Sequence, residues 1–363
     1  MKIKIEYFIF YISYFFFSLY SFFGIIDNFK VPLKYLTFIS MALIIIEFLV
    51  QLKKYKYKEI IKLFILLILS LIFVYKTNNY LILKLVLIII SVKNVDLDAQ
   101  IKYDIKLRVI FLGIMLILLN VGIATDVTAL FGEKIRHSMG FTNPNVLGHH
   151  ILILCMELLF IYRNSKKITT NIICILIMGI SYYYSGSRTA VLLFILLIFC
   201  FFILRKNKDI CEKKYIKSII KYSPIWTTVL VFFVFYLYKS GNQLGIVINN
   251  LLSGRLLNID YFSSNFPITL FGSDLTIISK SCDTAPIYML YAFGIVGLFL
   301  YIFSFIKLFS ILYKRRNYHL IIIMFIFVLY GISEKLWLFA DCNLILACLS
   351  QNIFTLHKEE KYE

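Results

Sequence analysis

Runs of about 17–22 apolar residues recur along the whole chain, each long enough to cross a hydrocarbon core of about 30 Å as a helix. They are apolar on every face, whereas barrel strands alternate apolar and polar residues, so strands are excluded. Hydrophobic residues make up 61% of the 363, above the roughly half found in soluble domains. The chain therefore reads as an all-α, polytopic integral membrane protein. About twelve spans are expected, near 7–26, 32–50, 60–75, 79–92, 107–124, 145–162, 169–185, 189–204, 222–238, 286–306, 318–333 and 336–355. The run 79–92 is short and contains Lys84, and the last contains Asp341 and Asn343. The opening MKIKIEYFIFYISYFFFSLYSFFGII has the basic-then-apolar order of a signal peptide. Its apolar part is long and aromatic and lacks a small-x-small cleavage site, which makes it an uncleaved first span.

A net charge of +18 invites a nucleic-acid partner. The lysines, however, sit in short loops between spans, where positive-inside bias puts them, so no nucleic acid is implied. Sorting Lys and Arg by alternate loops places 26 on one side, from Lys2 and Lys4 through Lys93, Lys102, Lys106 and Arg108 to Lys358 and Lys361. Eleven fall on the other side. The larger set marks the cytoplasm, so both termini are expected inside and the polar stretch Lys239–Pro286 outside. The seven cysteines are scattered singly with no C-x-x-C or Cys/His spacing, which indicates neither a disulfide framework nor a metal site. No repeat or linker divides the chain. It is expected to be one membrane domain, 1–363, with a single large extracytoplasmic loop, 239–285, and a solvated tail, HKEEKYE.

Three outward arginines, Arg136, Arg188 and Arg255, sit in Gly- or Ser-containing turns instead of lysine clusters. Arginine there suits bidentate binding of phosphate or carboxylate; the other role open to each is anchoring a span end. Arg136 opens RHSMGFTNPNVLGHH, in which Asn143-Pro144-Asn145 is a turn and Asn143 or Asn145 can cap the next helix. A helix N-terminus beside the membrane is also an anion site. His137 is an acid/base candidate, while the adjacent His149 and His150 project differently and suit neighbouring helices better than a metal. Arg188 ends the hairpin SGSRT, 185–189, and Arg255 follows Ser253-Gly254 in the large loop, where Phe271-Gly272-Ser273 makes a second turn. Asp283, three residues before Pro286, has two roles open to it: general base toward a hydroxyl or N-cap of the following helix. Asp260 and Asp274 are the other carboxylates of that loop, and Glu334-Lys335 is either a catalytic-side pair or an interfacial hairpin. Tyr261, Phe262, Phe266 and Tyr288 can stack on sugar faces or seal the loop onto the helices.

These stretches carry a resemblance. RHSMGFTNPNVLG, SGSRT, NNLLSGRL, the loop FG, DTAPIYMLYAFGIVGLFLY and YGISEKLWLFADCNLIL together resemble the bacterial Wzy-type polysaccharide polymerases over roughly 105–355, closest to those of Gram-positive capsule clusters. The related O-antigen ligases have a histidine near the place where this chain has Asp283. The resemblance implies a GT-C-like helical scaffold that moves a growing glycan from undecaprenyl diphosphate onto a hydroxyl of another lipid-linked repeat unit. It implies no sugar nucleotide, no metal and no other cofactor, and as partners the membrane lipid and the flippase and chain-length regulator of the same pathway. Arg188 and Arg255, then Arg136, would stabilise the leaving diphosphate, with Asp283, then His137, as base; Asn143, Asn145 and Tyr288 would contact substrate. Two other classes fit the composition: a flippase or other transporter, and a ligase-like transferase. Carriers are expected to show paired halves, broken helices and mid-membrane charges, and the candidate groups here are expected outside the spans.

Overall fold

The computed structural model describes residues 5–93, 95–131, 134–165, 168–275, 280–341 and 343–354. The sequence expectations for Lys2, Lys4, Lys166, Lys167, Cys342 and the tail lie outside these residues. Long apolar helices dominate: α1 (Ile5–Phe23), α2 (Asp27–Val50), α3 (Tyr57–Thr77), α4 (Leu81–Ser91), α5 (Leu97–Asn120), α6 (Pro144–Ile161), α7 (Thr169–Ser185) and α8 (Arg188–Lys206). The second half adds α9 (Lys214–Lys221), α10 (Ser223–Lys239), α11 (Gln243–Leu251), α12 (Arg255–Asn265), α13 (Ala285–Lys314) and α14 (Tyr318–Tyr330). The described strands are β1 (Thr128–Phe131) and β2 (Lys134–His137), which pair antiparallel with Ala129 opposite Arg136.

Among the described residues, five helices are long and apolar enough to cross a membrane, or six when α9 and α10, bent by 61°, count as one span. Many of the exposed side chains on α2 and α3 are apolar, among them Ile46, Leu49, Val50, Ile65 and Ile68, and the exposed charges lie mostly toward the helix ends, with Lys62 the exception in α3. A helix that turns such residues outward is suited to hydrocarbon. Eleven of the twelve expected spans coincide with helices. The twelfth does not: 336–355 forms short 3₁₀ segments at Leu336–Leu338 and Leu344–Asn352. Its apolar residues, including Trp337, Leu344 and Ile345, are buried in protein, which is where irregular backbone at membrane depth is tolerated. The polar stretch after α10 is not an open loop either, since it folds into α11 and α12.

The chain divides into two compact units, each drawing on distant segments. Unit 1 comprises Met1–Ile61, Lys84–Phe199 and Phe339–Ser350; unit 2 comprises Lys62–Leu83, Cys200–Leu338 and Gln351–Glu363. In unit 1, α1 packs on α2 and α5, while α6 packs on α5 and α7. The central element is α6, with nearly all its residues buried from Leu147 to Phe160. Lys84, which interrupts an apolar run, is ion-paired at 2.7 Å with Asp341 of the final segment. Arg108, sorted above with the cytoplasmic loop cations, is instead a buried residue of α5, because that helix begins at Leu97.

In unit 2, α10 contacts α11, α12, α13 and α14. Trp337 is fully buried against Phe305 and Phe327. Helix α13 is broken at Gly294, where φ is +70° and ψ −169°. The segment Thr269–Ser273 fills the break: Ser273 N donates to Tyr291 O, Ile295 N to Thr269 O and Val296 N to Leu270 O, at 2.9–3.1 Å. These bonds satisfy groups the helix cannot pair itself. A side chain at residue 294 would collide with the backbone of Leu270, so glycine is required by space as well as by φ. Sequence alone did not show this discontinuity.

Candidate functional site

The sequence-predicted residues fall into two groups, one in each unit. In unit 1, Arg136 on β2 reaches the turn between α7 and α8. Its Nε donates to the carbonyl of Ser185 and its Nη2 to Asn145 Oδ1, both at 2.6 Å. The turn accommodates it because Gly186 ends α7 at φ +57°. A β-carbon at 186 would lie 3.1–3.3 Å from the Nε, Cγ and Cδ of Arg136. Asn143 caps α6, accepting from the backbone N–H of Asn145 at 2.8 Å and of Val146 at 3.3 Å. The two asparagines of Asn-Pro-Asn thus divide the work: one caps the helix, the other receives the arginine. Arg188 opens α8 with an exposed side chain.

His137, next along β2, places its Nδ1 2.6 Å from Asp126 Oδ2. Asp126 Oδ1 accepts from the backbone of Met139 at 2.9 Å and from Ser138 Oγ at 3.3 Å. Partial burial of Asp126 favours the neutral acid, but the hydrogen bonds from His137, Met139 and Ser138 outweigh it and hold the carboxyl below its ordinary range. Two cavities border this corner. One, about 440 Å³, lies between the start of α2 and the loop bearing Thr125, Val127 and Thr142. The other, about 330 Å³, is an apolar groove lined by Met115, Met139, Phe141, Ile151, Ile177 and Tyr184, among others.

In unit 2, Arg255 is the first residue of α12 and is only 8% exposed. Its Nη2 donates to Glu334 Oε1, and its Nε is 3.9 Å from Asp283 Oδ2. Asp283 is half-buried and its Oδ1 accepts from Ser281 Oγ. Lys335 Nζ lies 3.4 Å from the same Ser281 hydroxyl and 4.4 Å from the centre of the Tyr288 ring. Tyr288 is buried, and its hydroxyl accepts from Asn79 Nδ2 at 2.6 Å. Phe262 lies between Phe266 and Tyr291, with ring centres 5.9 and 6.2 Å away, and Tyr288 meets Phe293 edge-on at 5.9 Å. Burial pushes the Cys282 thiol up to about 12, so it stays protonated beside Asp283.

The N-cap role for Asp283 is corrected. Thr284 occupies the cap position and makes no side-chain cap bond; Ala285 N donates instead to Gly331 O at 2.8 Å. With the helix end docked on the end of α14, the Asp283 carboxylate is free of capping and turns to Arg255 and Ser281. Sequence reasoning left Glu334 and Lys335 between two roles, and the structure brings both into the arginine's group. Asn79 and Ser281 were missed, since a lone polar residue in a loop carries no signal until its neighbours are known.

A third group lies within spans of unit 1: Asp104 and Arg108 on α5 with His149, His150 and Glu157 on α6, all buried. His149 and His150 do face a neighbouring helix, and Arg108 Nη1 is 2.9 Å from His150 Nδ1. The sequence-predicted candidates were expected outside the spans; this further group of ionisable residues lies within them. The signal was present: Glu157 is a lone carboxylate inside an apolar run, and such a residue needs a partner. Among the described residues, no group of three or more His, Cys, Asp or Glu is placed to hold a metal ion. No protein-family model, curated protein or solved structure matches this chain.

Proposed function

We propose that the protein is a membrane glycosyltransferase that polymerises lipid-linked oligosaccharide repeat units at the outer face of the membrane, with both termini in the cytoplasm. The observation that carries this reading is the group Arg255–Glu334–Asp283–Lys335. It sets a half-buried carboxylate 3.9 Å from the Arg255 guanidinium, with Lys335 reaching the Ser281 hydroxyl that donates to the same carboxylate. In the proposed step, an acceptor hydroxyl gives its proton to Asp283 as its oxygen bonds to the anomeric carbon of the donor glycan. The bond from that carbon to the lipid diphosphate breaks, and the diphosphate leaves with the electron pair. Arg255 positions Asp283 from its Nε side and is the cation assigned to the departing diphosphate.

The test is purified protein in detergent with synthetic undecaprenyl-diphosphate-linked units, without sugar nucleotide or added metal. A ladder of products is expected, and Asp283→Asn should lower its rate by about 10²–10⁴-fold, the usual range for losing a general base. Donor units that keep their mass with wild-type protein would sink the reading. A second reading, a carrier of the same lipid-linked units, is favoured by two observations. Helix α13 is discontinuous at Gly294, and ionisable groups meet within helices of unit 1, both features of transporters. Unchanged mass together with movement of labelled units across proteoliposomes would select it.

A further inference from the structure

The group on α5 and α6 has a charge balance that the transferase chemistry does not use. Asp104, Arg108, His149, His150 and Glu157 are each at most 2% exposed. Arg108 is the hub: Nη2 donates to Asp104 Oδ2 at 2.8 Å, Nη1 reaches His150 Nδ1 at 2.9 Å, and Nε is 3.6 Å from Glu157 Oε2. Asp104 Oδ2 also faces the backbone N–H of Leu344 at 3.5 Å. A guanidinium only donates, so His150 Nδ1 must present its lone pair, and that imidazole is neutral. The rings of Phe22 and Phe141, 4.2 and 5.1 Å from it, close the site on that side.

One guanidinium then stands between two carboxyl groups. With both ionised, the group would hold a surplus negative charge away from water, which is costly. The two carboxyls are not equivalent. Asp104 receives the short charge-assisted bond from Arg108. Glu157, with no exposed surface, makes no hydrogen bond of ordinary geometry at either oxygen; its nearest polar neighbours are Arg108 Nε, 3.6 Å from Oε2, and the carboxyl of Asp104. An ionised carboxylate offers about four acceptor sites, and leaving all of them unfilled is the least favourable way to bury one. The other groups facing it do not supply the missing charge. From α1 comes Tyr14, and α7, which also packs on α6, brings Cys174 and tyrosines but no carboxylate or base.

We propose that Glu157 is a proton-binding site inside the membrane, a carboxylic acid at neutral pH, with Asp104 as the ionised partner and Arg108 as its fixed cation. The ligand is one proton, exchanged with bulk water. The site does not rest on the transferase reading, and it is the kind of group a proton-coupled conformational step would use.

Infrared spectroscopy of the full-length protein in lipid nanodiscs tests this without any substrate, so its outcome is separate from that of the polymerase assay. The expected result is a carbonyl stretch of a protonated carboxylic acid at neutral pH that moves to lower frequency in D₂O. It should be lost in Glu157→Gln and kept in Asp98→Asn, a control that removes a half-buried carboxylate ion-paired with Arg163. Should Glu157→Gln fail to accumulate, the wild-type band decides on its own: it should persist as the pH rises past the range where exposed carboxylates have ionised. No such band in wild type, or one that disappears within that range, overturns the proposal. So does a band unchanged in Glu157→Gln.

Discussion

Arg136 and Arg255 carry the same sequence signature, an arginine beside a Ser/Gly turn, yet they are held in different ways. The described hydrogen bonds of Arg136 go to neutral oxygens, the Ser185 carbonyl and the Asn145 amide, and they pin a β-hairpin to a helical turn and to the cap of α6. Arg255 is held by carboxylates, Glu334 directly and Asp283 at longer range. The first arrangement is a cross-link between backbone elements, made through neutral acceptors. The second is an ion-pair group in which the cation organises acids. In the proposed reaction the second arrangement is the one used: Arg255 suits the positioning of a base. The residue type predicted that something planar would be gripped. The partners decide what.

The largest effect should come from breaking the Arg255–Glu334 pair. Both side chains are buried, at 8% and 5% exposure, so removing either takes the direct ion-pair partner from a buried charge and should cost about 3–5 kcal/mol. Arg255→Leu and Glu334→Leu are each expected to unfold at clearly lower denaturant concentration than wild type in detergent. The double variant should recover much of the loss, because no lone buried charge then persists. Polymer formation should stay low in Arg255→Leu and in the double variant, where Asp283 loses its Nε neighbour. If either single variant is within about 1 kcal/mol of wild type, the range of an exposed pair, the contrast with Arg136 is gone.

The helical class and eleven of the apolar segments were legible because the period and length of apolar runs are local properties. The final segment was misread for a related reason. LWLFADCNLILACLSQN is apolar enough for a span, but its Asp341 is paired with Lys84 and its backbone is irregular, and both depend on residues far away in sequence. Lys84 and Asp341 each weakened the reading of an apolar run, and they turn out to be partners. The same holds for the sites. Asn143 as a cap was legible because capping is decided within three residues. Arg108 was misassigned because helix α5 extends past the apolar part of its sequence to Leu97, which puts Asp104 and Arg108 four apart on one face. Glu334 was undecided because its partner lies 79 residues earlier.

A smaller effect should separate charge from shape at Arg136. Lysine keeps the charge but cannot present two donors from one plane toward Ser185 O and Asn145 Oδ1. Arg136→Lys is expected to cost about 1–3 kcal/mol, the range for leaving a buried acceptor unsatisfied. Gly186→Ala attacks the same contact from the other side, adding a β-carbon 3.1–3.3 Å from the arginine at a residue with φ +57°. It should cost about 1 kcal/mol from backbone strain. Both would be read by thermal unfolding, and the two losses should be less than additive because they disturb one contact. Full additivity would mean the arginine is not seated on the Gly186 turn.

The smallest effect concerns Asp126, the neighbour of Arg136 through His137. Its carboxyl is held below the ordinary range in the folded protein, partial burial being outweighed by hydrogen bonds from His137, Met139 and Ser138. A group whose folded value is depressed binds its proton more readily in the unfolded chain. The stability it contributes is therefore complete above the ordinary carboxylate range and is lost as the pH falls through the folded value. The comparison is wild type against Asp126→Asn, followed by melting temperature from neutral to acid pH. Wild type should be ahead at neutral pH by about 1 kcal/mol or less, as befits a partly exposed pair, and the gap should close as the solution is acidified. At Arg255→Leu no such closure tied to Asp126 is expected, because that arginine's partners are Glu334 and Asp283. A gap that widens toward acid would mean that Asp126 is held in its neutral form instead, and the corner around His137 would then have to be rebuilt around a protonated acid.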